Sequence, residues 1–341
     1  MKSKFLPLIA GAVLALTGFA TAAAAGTLDD VKTKGFVQCG VNTGLPGFGN
    51  PDASGKYTGF DVDYCRAVSA AIFGDPDKVK YTPLDATERF TALQSGEIDL
   101  LVRNTTWTES RDTQLGFLFA GVNFYDGEGF LVRKSENVAH VKDLDGASIC
   151  VQGGTDTVTG LADYFKENGI KYNPVVIDKL PDVIAAYDSG RCDAFTTDSS
   201  ALYATRLQLK VPDDHVVLPE IISQEPLGPV VRANDSVWFN VVKWSAMALL
   251  DAEYLGITQA NVDDMLKSDK PLVQRFLGVG NNDFGKGMGL TPKWAYNIIK
   301  ALGNYGEVFD RNVGAGSPLK IARGLNQIWT KGGLQYGMPI E

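Results

Sequence analysis

A cluster of polar side chains follows an apolar run at residues 98–101. Residues 102–112 carry three threonines, Asn104 and Arg111. A buried strand that ends in hydroxyls and one arginine is typical of the wall of a small polar pocket. Thr108 can cap a short following helix, and that helix would place Arg111 beside the strand end. A guanidinium there could bind a carboxylate with two parallel hydrogen bonds. The alternative is that Arg111 is a solvated helix residue and the threonines only form a turn.

The elements that must position these residues belong to a chain of 341 residues, of which 45% are hydrophobic and 21% charged. This composition is typical of a globular protein of roughly two domains. The most apolar later stretch, residues 237–255, contains Lys243, Asp251 and Glu253. We therefore expect it to be a helix of a soluble core and not a membrane span.

The N-terminus has the pattern of a secretory signal peptide. Lys2 and Lys4 precede an apolar run over residues 5–20, and small residues follow up to Ala25. Cleavage is expected near Ala25, giving an exported protein that is free in an oxidising compartment; an uncleaved anchor is the alternative. Loss of residues 1–25 would change the net charge from −8 to −10 because it removes only the two lysines. An exported protein this acidic is a poor candidate for binding nucleic acid.

The four cysteines favour disulfides over a metal site in an oxidising compartment. They are Cys39, Cys65, Cys150 and Cys192, and no CxxC pair or ligand-like histidine accompanies them. Cys39 and Cys65 fall on a strand and the next helix, and Cys150 and Cys192 on or beside two later strands. We therefore predict the pairs 39–65 and 150–192. The two other connectivities and free buried thiols remain open.

An internal repeat indicates two similar α/β lobes. Residues 92–100 and 186–194 both read as the end of a helix, a Ser-Gly cap and a buried strand. Continuing this register places Asn104 opposite Asp198, each at the carboxyl end of its strand. Residues 36–44 and 148–155 form a second related pair, each with a cysteine-containing strand and a glycine turn. Residues 129–133 and 227–232 are predicted to cross between the lobes.

Ligand sites in open α/β sheets lie at the carboxyl ends of the strands. Asp198 could also be a simple helix cap. Taken together, one cation, one anion, hydroxyls and free N–H groups would match a small zwitterion. The predicted strand ends carry Leu45 and Phe48, then Asn104, Thr106 and Arg111, then Gly153, Gly154 and Thr155, and finally Asp198.

With these features the chain resembles the periplasmic amino-acid-binding proteins of ABC transporters. These proteins form the polar amino-acid group of the solute-binding proteins, family 3. The resemblance covers roughly residues 28–275. Its motifs are residues 59–63, 95–99 and 106–111, Gly154-Thr155, and residues 190–194 followed by Asp198. It implies a two-lobe type II periplasmic-binding-protein fold with two crossing segments, which closes on an L-amino acid.

The resemblance also implies roles for individual residues. Arg111 would hold the ligand carboxylate with the N–H groups of Thr106 and Thr155, and Asp198 would hold the ammonium with Asn104. Asn104 departs from the glycine or serine that is usual at this position of the family. Loops around Phe48 and Trp107 are expected to set side-chain selectivity.

The implied organisation is a signal peptide (1–25), lobe 1 (26–130 and 230–277), lobe 2 (131–229) and a helical C-terminal extension (278–341). The extension makes the chain similar to the general L-amino-acid-binding proteins. We expect it to pack on lobe 1, either as scaffold alone or also touching the transporter. The expected function is capture of L-amino acids by a monomer without a cofactor, for delivery to an inner-membrane ABC permease. A periplasmic dehydratase or a sensor domain are the alternatives, but no nucleophile–base spacing supports an enzyme.

Overall fold

The computed structural model describes residues 26–341, so the predicted signal peptide lies outside the described residues. No helix within residues 26–341 is long and apolar enough to cross a bilayer. The strands are β1 Val37–Asn42, β2 Asn50–Pro51, β3 Tyr57–Thr58, β4 Val79–Leu84, β5 Leu100–Leu101, β6 Phe117–Phe119, β7 Phe124–Asp126, β8 Glu128–Arg133, β9 Ser148–Gln152, β10 Asn173–Ile177, β11 Ala194–Asp198, β12 His215–Val217, β13 Glu225–Leu227 and β14 Val230–Arg232. The helices are α1 Thr27–Lys34, α2 Phe60–Phe73, α3 Arg89–Ser95, α4 Glu109–Thr113, α5 Thr157–Glu167, α6 Leu180–Asp188, α7 Ser199–Arg206, α8 Ser236–Leu255, α9 Val262–Met265, α10 Pro271–Phe276, α11 Trp294–Leu302 and α12 Tyr305–Asn312.

Two five-stranded sheets define two lobes. The sheet of lobe 1 has the order β4-β1-β5-β14-β6, and the sheet of lobe 2 has the order β10-β9-β11-β8-β12. In each sheet an apolar strand, β1 or β9, lies parallel between two neighbours, and the returning strands are antiparallel. Parallel strands buried by helices on their faces read as continuous apolar runs, which is why the cysteine-containing strands β1 and β9 were predicted from the sequence.

Two short strands connect the lobes and form a hinge ribbon. β7 and β13 pair antiparallel, with Glu225 opposite Asp126 and Leu227 opposite Phe124. The predicted crossing segments, residues 129–133 and 227–232, are therefore wrong by a few residues. Residues 129–133 belong to β8 in the sheet of lobe 2, and residues 230–232 form β14 in lobe 1. Short apolar runs do not reveal by themselves whether they cross between sheets or lie within one.

Both predicted disulfides are present. Cys39 in β1 is bonded to Cys65 in α2, and Cys150 in β9 is bonded to Cys192 just before β11. Each bond joins a central strand to an element of the same lobe. They close loops with sequence separations of 26 and 42 residues, and such loops reduce the entropy of the unfolded chain.

The C-terminal extension is only partly helical. The pattern of apolar residues predicts helices at residues 292–302 and 319–329. The first is present as α11, but the second prediction is wrong. That segment contains Lys320 at φ 53° and Gly324 at φ 47°, which an α-helix does not accommodate, and only short 3-10 turns form there. Helix α12, which begins with a capping box between Asn304 and Glu307, was not predicted from the sequence.

Candidate functional site

Asn104 joins the two lobes at the end of β5. Its φ of 31° lies in the left-handed region, which asparagine tolerates better than most residues. Its backbone N–H donates to Asp61 at 2.9 Å, and its side-chain oxygen accepts from Asn42 at 3.1 Å. The side-chain nitrogen donates to Asp198 of lobe 2 at 3.2 Å. The predicted opposition of Asn104 and Asp198 is thus a direct contact across the cleft.

Arg111 is buried at the same cleft, with 7% of its surface exposed. The Thr108 hydroxyl caps α4 and accepts the N–H of Arg111 at 3.3 Å. One guanidinium nitrogen donates to the carbonyl of Thr106 at 2.8 Å, and another lies 3.1 Å from Asp156 of lobe 2. These contacts rule out the alternative of a solvated helix arginine.

Two aspartates stand at helix starts without capping them. Asp156 precedes α5 and Asp198 precedes α7, but neither side chain accepts a hydrogen bond from the first turn of its helix. Asp156 instead contacts Arg111, and Asp198 accepts from Asn104. A capping role for the Asp198 side chain is therefore not observed. Both carboxyl groups instead contact residues of lobe 1 across the cleft.

The cleft holds more acidic groups than these two. Burial, followed by the charges of Asp126, Glu225 and Asp156, raises the pKa of Asp198 well above its ordinary value. Burial also raises the pKa of Asp126 to about 6 and that of Glu225 to about 7. Burial opposes ionisation of Asp156 too, but the Arg111 charge, a hydrogen bond with Glu225 and the Arg89 charge together outweigh it, so the pKa of Asp156 is lowered. Such a cluster favours a ligand group with positive charge.

Two further arginines lie behind Arg111 in lobe 1. The Nε of Arg103 donates to the carbonyl of Leu84 at 2.9 Å, and burial lowers the pKa of Arg103 to about 10. Arg89 lies 3.3 Å from the hydroxyl of Thr105, and burial with the neighbouring arginine charges lowers its pKa. Positive charge is thus concentrated on the lobe 1 side of the cleft, whereas the acidic cluster of Asp126, Asp156, Asp198 and Glu225 comes from lobe 2 and the hinge ribbon.

The other predicted polar residues also lie near this cleft. The Thr106 hydroxyl donates to Glu225 at 2.7 Å, and the Thr155 hydroxyl donates to the carbonyl of Gln152 at 2.7 Å. Gly154 has φ 73°, and a Cβ atom there would lie 2.8 Å from Cγ2 of Thr87 in lobe 1. The glycine turn after β9 therefore lies directly against the opposite lobe.

The two predicted aromatic residues have different environments. Phe48 is fully buried in lobe 1, where its ring makes edge contacts with Phe60 at 6.2 Å and Phe124 at 5.6 Å. The ring therefore packs in the core of lobe 1, and its predicted contact with the ligand stays a prediction. Trp107 is 38% exposed and stacks on Phe119 at 5.5 Å. Its role in selectivity stays a prediction.

Three acidic residues of the cleft were not predicted from the sequence: Asp126, Asp156 and Glu225. A weak signal existed for the hinge residues, since Asp126 and Glu225 are acidic residues beside otherwise apolar runs that connect the lobes. Asp156 follows a glycine turn, where an aspartate is normally explained as a helix cap.

Two α/β lobes on a two-strand hinge, with opposite charges facing a common cleft, define a type II periplasmic binding protein. The chain belongs to the bacterial extracellular solute-binding proteins, family 3, whose family model matches residues 37–276. This family and the relatives below are solute-binding proteins and not enzymes.

Relatives match the chain over its full length, including the extension. It is 62% identical over 342 residues to the general L-amino acid-binding periplasmic protein AapJ of Rhizobium johnstonii, with 100% of both chains covered. It is 52% identical to the glutamate/glutamine/aspartate/asparagine-binding protein BztA of Rhodobacter capsulatus, covering 100% of this chain and 99% of BztA. An ABC transporter periplasmic binding protein from Brucella ovis, solved with glutathione bound, has 61% identity and a TM-score of 0.92, covering 93% of this chain and 100% of that one.

Proposed function

We propose that this chain captures L-amino acids of several kinds between its lobes and delivers them to the inner-membrane permease of an ABC transporter for ATP-driven uptake. It acts in the periplasm as a monomer, after removal of residues 1–25. In this proposal it needs no cofactor.

The observation that carries the proposal is the placement of Arg111 and Asp198 on opposite lobes of one cleft. An α-amino acid carries a carboxylate and an ammonium on the same carbon atom, and each would find a buried partner of opposite charge. In this proposal Arg111 binds the carboxylate, with the N–H groups after β5 and β9 at Thr106 and Thr155. Asp198 binds the ammonium together with Asn104.

The breadth of the proposed specificity follows from the same pair of residues, Arg111 and Asp198. The ligands named for the relatives are L-amino acids in general, four acidic and amide amino acids, and glutathione. Glutathione carries a free α-ammonium and α-carboxylate on its γ-glutamyl end, so all of these ligands share the same zwitterion. Arg111 and Asp198 would bind the zwitterion that these ligands share, and the rest of the cleft would discriminate between their side chains.

Calorimetry against a panel of L-amino acids tests this function. Arg111→Ala and Asp198→Ala should each weaken every ligand by roughly 3–5 kcal/mol, because removing one partner leaves a buried charge unpaired. Arg111→Lys should recover only part of the loss, since an ammonium lacks the planar fork. Matched controls are Arg191→Ala and Asp163→Ala, which remove exposed charges of lobe 2 outside the cleft. Unchanged affinity in folded Asp198→Ala protein would contradict the proposed ammonium site.

A further inference from the structure

The C-terminal extension binds the hinge ribbon. The side-chain oxygen of Asn326 accepts the backbone N–H of Tyr125 at 2.7 Å, and its side-chain nitrogen donates to the carbonyl of Tyr125 at 3.0 Å. Tyr125 is the middle residue of β7 and lies opposite Pro226 of β13, which has no N–H to offer. The side-chain amide of Asn326 therefore bonds both backbone groups of Tyr125, as the backbone of a neighbouring strand would.

A second contact lies two residues earlier on the same segment. The carbonyl of Asn123 accepts from the hydroxyl of Tyr305 at 2.9 Å and from the side-chain nitrogen of Gln335 at 3.2 Å. Gln335 is 2% exposed, Asn326 is 4% exposed and Tyr305 is fully buried. Buried hydrogen bonds of this kind are costly to lose, because the backbone groups would be left without partners.

The extension is itself fixed to lobe 1. Arg323 pairs with Glu253 of α8 at 3.0 Å, and both side chains are largely buried. Arg311 and Asn312 bind the carboxylate of Asp63 in α2 at 2.8 and 2.6 Å. The extension is thus anchored to one lobe and holds the strand about which the other lobe must turn.

The strand that it holds leads directly into the ligand cleft. Asp126 follows Tyr125, and its carboxylate faces the N–H of Ser200 at the start of α7, at 3.3–3.4 Å. Asp198 lies two residues before Ser200. A shift of β7 therefore moves an acidic group of the cleft as well as the hinge.

We propose that Asn326, Tyr305 and Gln335 are positioning residues for ligand capture, which hold β7 in the geometry of the closed lobes. This rests on the proposed function. Hinge residues absorb the backbone rotation when lobes open and close. A contact that fits one state better than the other shifts the balance between them. The hydrogen bonds to Tyr125 and Asn123 fit the arrangement in which Asn104 and Asp198 touch.

The test compares two asparagines of the extension. Asn326→Ala removes the hinge contact, whereas Asn312→Ala removes an amide that binds α2 of lobe 1 and the carbonyl of Val308. Affinity for L-glutamate is measured by calorimetry, and lobe closure by the change in radius of gyration on adding ligand. We expect Asn326→Ala to weaken binding about tenfold, the effect of two lost hydrogen bonds. Asn312→Ala should weaken it less than about twofold.

Tyr305→Phe supplies a second variant in case Asn326→Ala does not fold, because it removes only the hydroxyl that contacts Asn123. It should weaken binding by about threefold to fivefold. Equal affinity and equal closure in Asn326→Ala, Asn312→Ala and the unmodified protein would overturn the hinge role and leave the proposed function intact. If the unmodified protein bound no L-amino acid, the proposed function itself would fail.

Discussion

The guanidinium of Arg111 and the carboxylate of Asp156 lie 3.1 Å apart, one on each lobe. The nitrogen that contacts Asp156 belongs to the fork expected to bind the ligand carboxylate. A negative group of the protein therefore stands beside the place where the negative group of the ligand is expected. The two carboxylates would compete for one guanidinium.

Asp156→Asn should strengthen the binding of amino acids, because it removes this competing charge and keeps the size of the side chain. We expect a gain of about 1 kcal/mol, since the pair is only partly desolvated. The measurement is calorimetry with L-glutamate, with Asp163→Asn on the exposed face of the same helix as the control. Weaker binding in Asp156→Asn would instead show that the pair with Arg111 helps to hold the lobes closed around the ligand.

Binding should release protons at neutral pH. The pKa values of Asp126 and Glu225 are raised to about 6 and about 7, and that of Asp198 is raised well above its ordinary value. An ammonium placed among these groups lowers their pKa values, so protons leave as the ligand enters. Affinity should therefore rise between about pH 5.5 and 7.5, the range in which Asp126 and Glu225 titrate.

This linkage can be measured directly by calorimetry at pH 7 in buffers that differ in ionisation enthalpy. The binding enthalpy should vary with the buffer, and the dependence should shrink in Asp126→Asn. A binding enthalpy that is the same in every buffer would mean that the acidic groups of the cleft are already ionised before binding.

Much of the fold follows from local patterns. β9 lies within residues 148–155, where a cysteine-containing strand and a glycine turn were predicted, and the disulfides followed from cysteines on neighbouring elements of one lobe. The opposition of Asn104 and Asp198 came from the internal repeat, which carries three-dimensional information in a single sequence.

Other features depend on tertiary contacts that no local pattern contains. Asp156 and Asp198 stand where helix caps are expected, and only the opposite lobe decides that their side chains turn to the cleft. The segment at residues 319–329 has helical spacing, but its contacts with the hinge and with lobe 1 favour an irregular path. Tertiary packing commonly overrides propensity in this way.

Phe48→Ala should destabilise the protein and leave its ligand preferences in the same order. The ring is fully buried among Phe60 and Phe124, and loss of a buried phenylalanine side chain costs about 3–5 kcal/mol. Urea unfolding gives the loss, and competition between L-amino acids gives the order of preference. Trp107→Ala, at a partly exposed ring, should cost less stability. A reordered preference in Phe48→Ala with unchanged stability would instead place Phe48 in the ligand pocket.

Gly154→Ala should hinder closure of the lobes. A methyl group there would lie 2.8 Å from Cγ2 and 3.0 Å from the backbone nitrogen of Thr87, so the lobes could not approach as closely. The residue also has φ 73°, which strains any L side chain by about 1–2 kcal/mol. Gly146→Ala separates the two effects. Gly146 also lies in lobe 2 and has φ 82°, but a Cβ atom there would meet nothing within 4 Å.

Both variants should therefore lose similar stability in urea, whereas only Gly154→Ala should bind L-amino acids more weakly, by about tenfold or more. The expected magnitude reflects the overpacking that the added methyl group creates between the lobes. Scattering should show less compaction of Gly154→Ala than of Gly146→Ala when ligand is added. Because the two variants share the backbone strain, equal affinities would mean that the bound state does not need the close approach of Gly154 to Thr87.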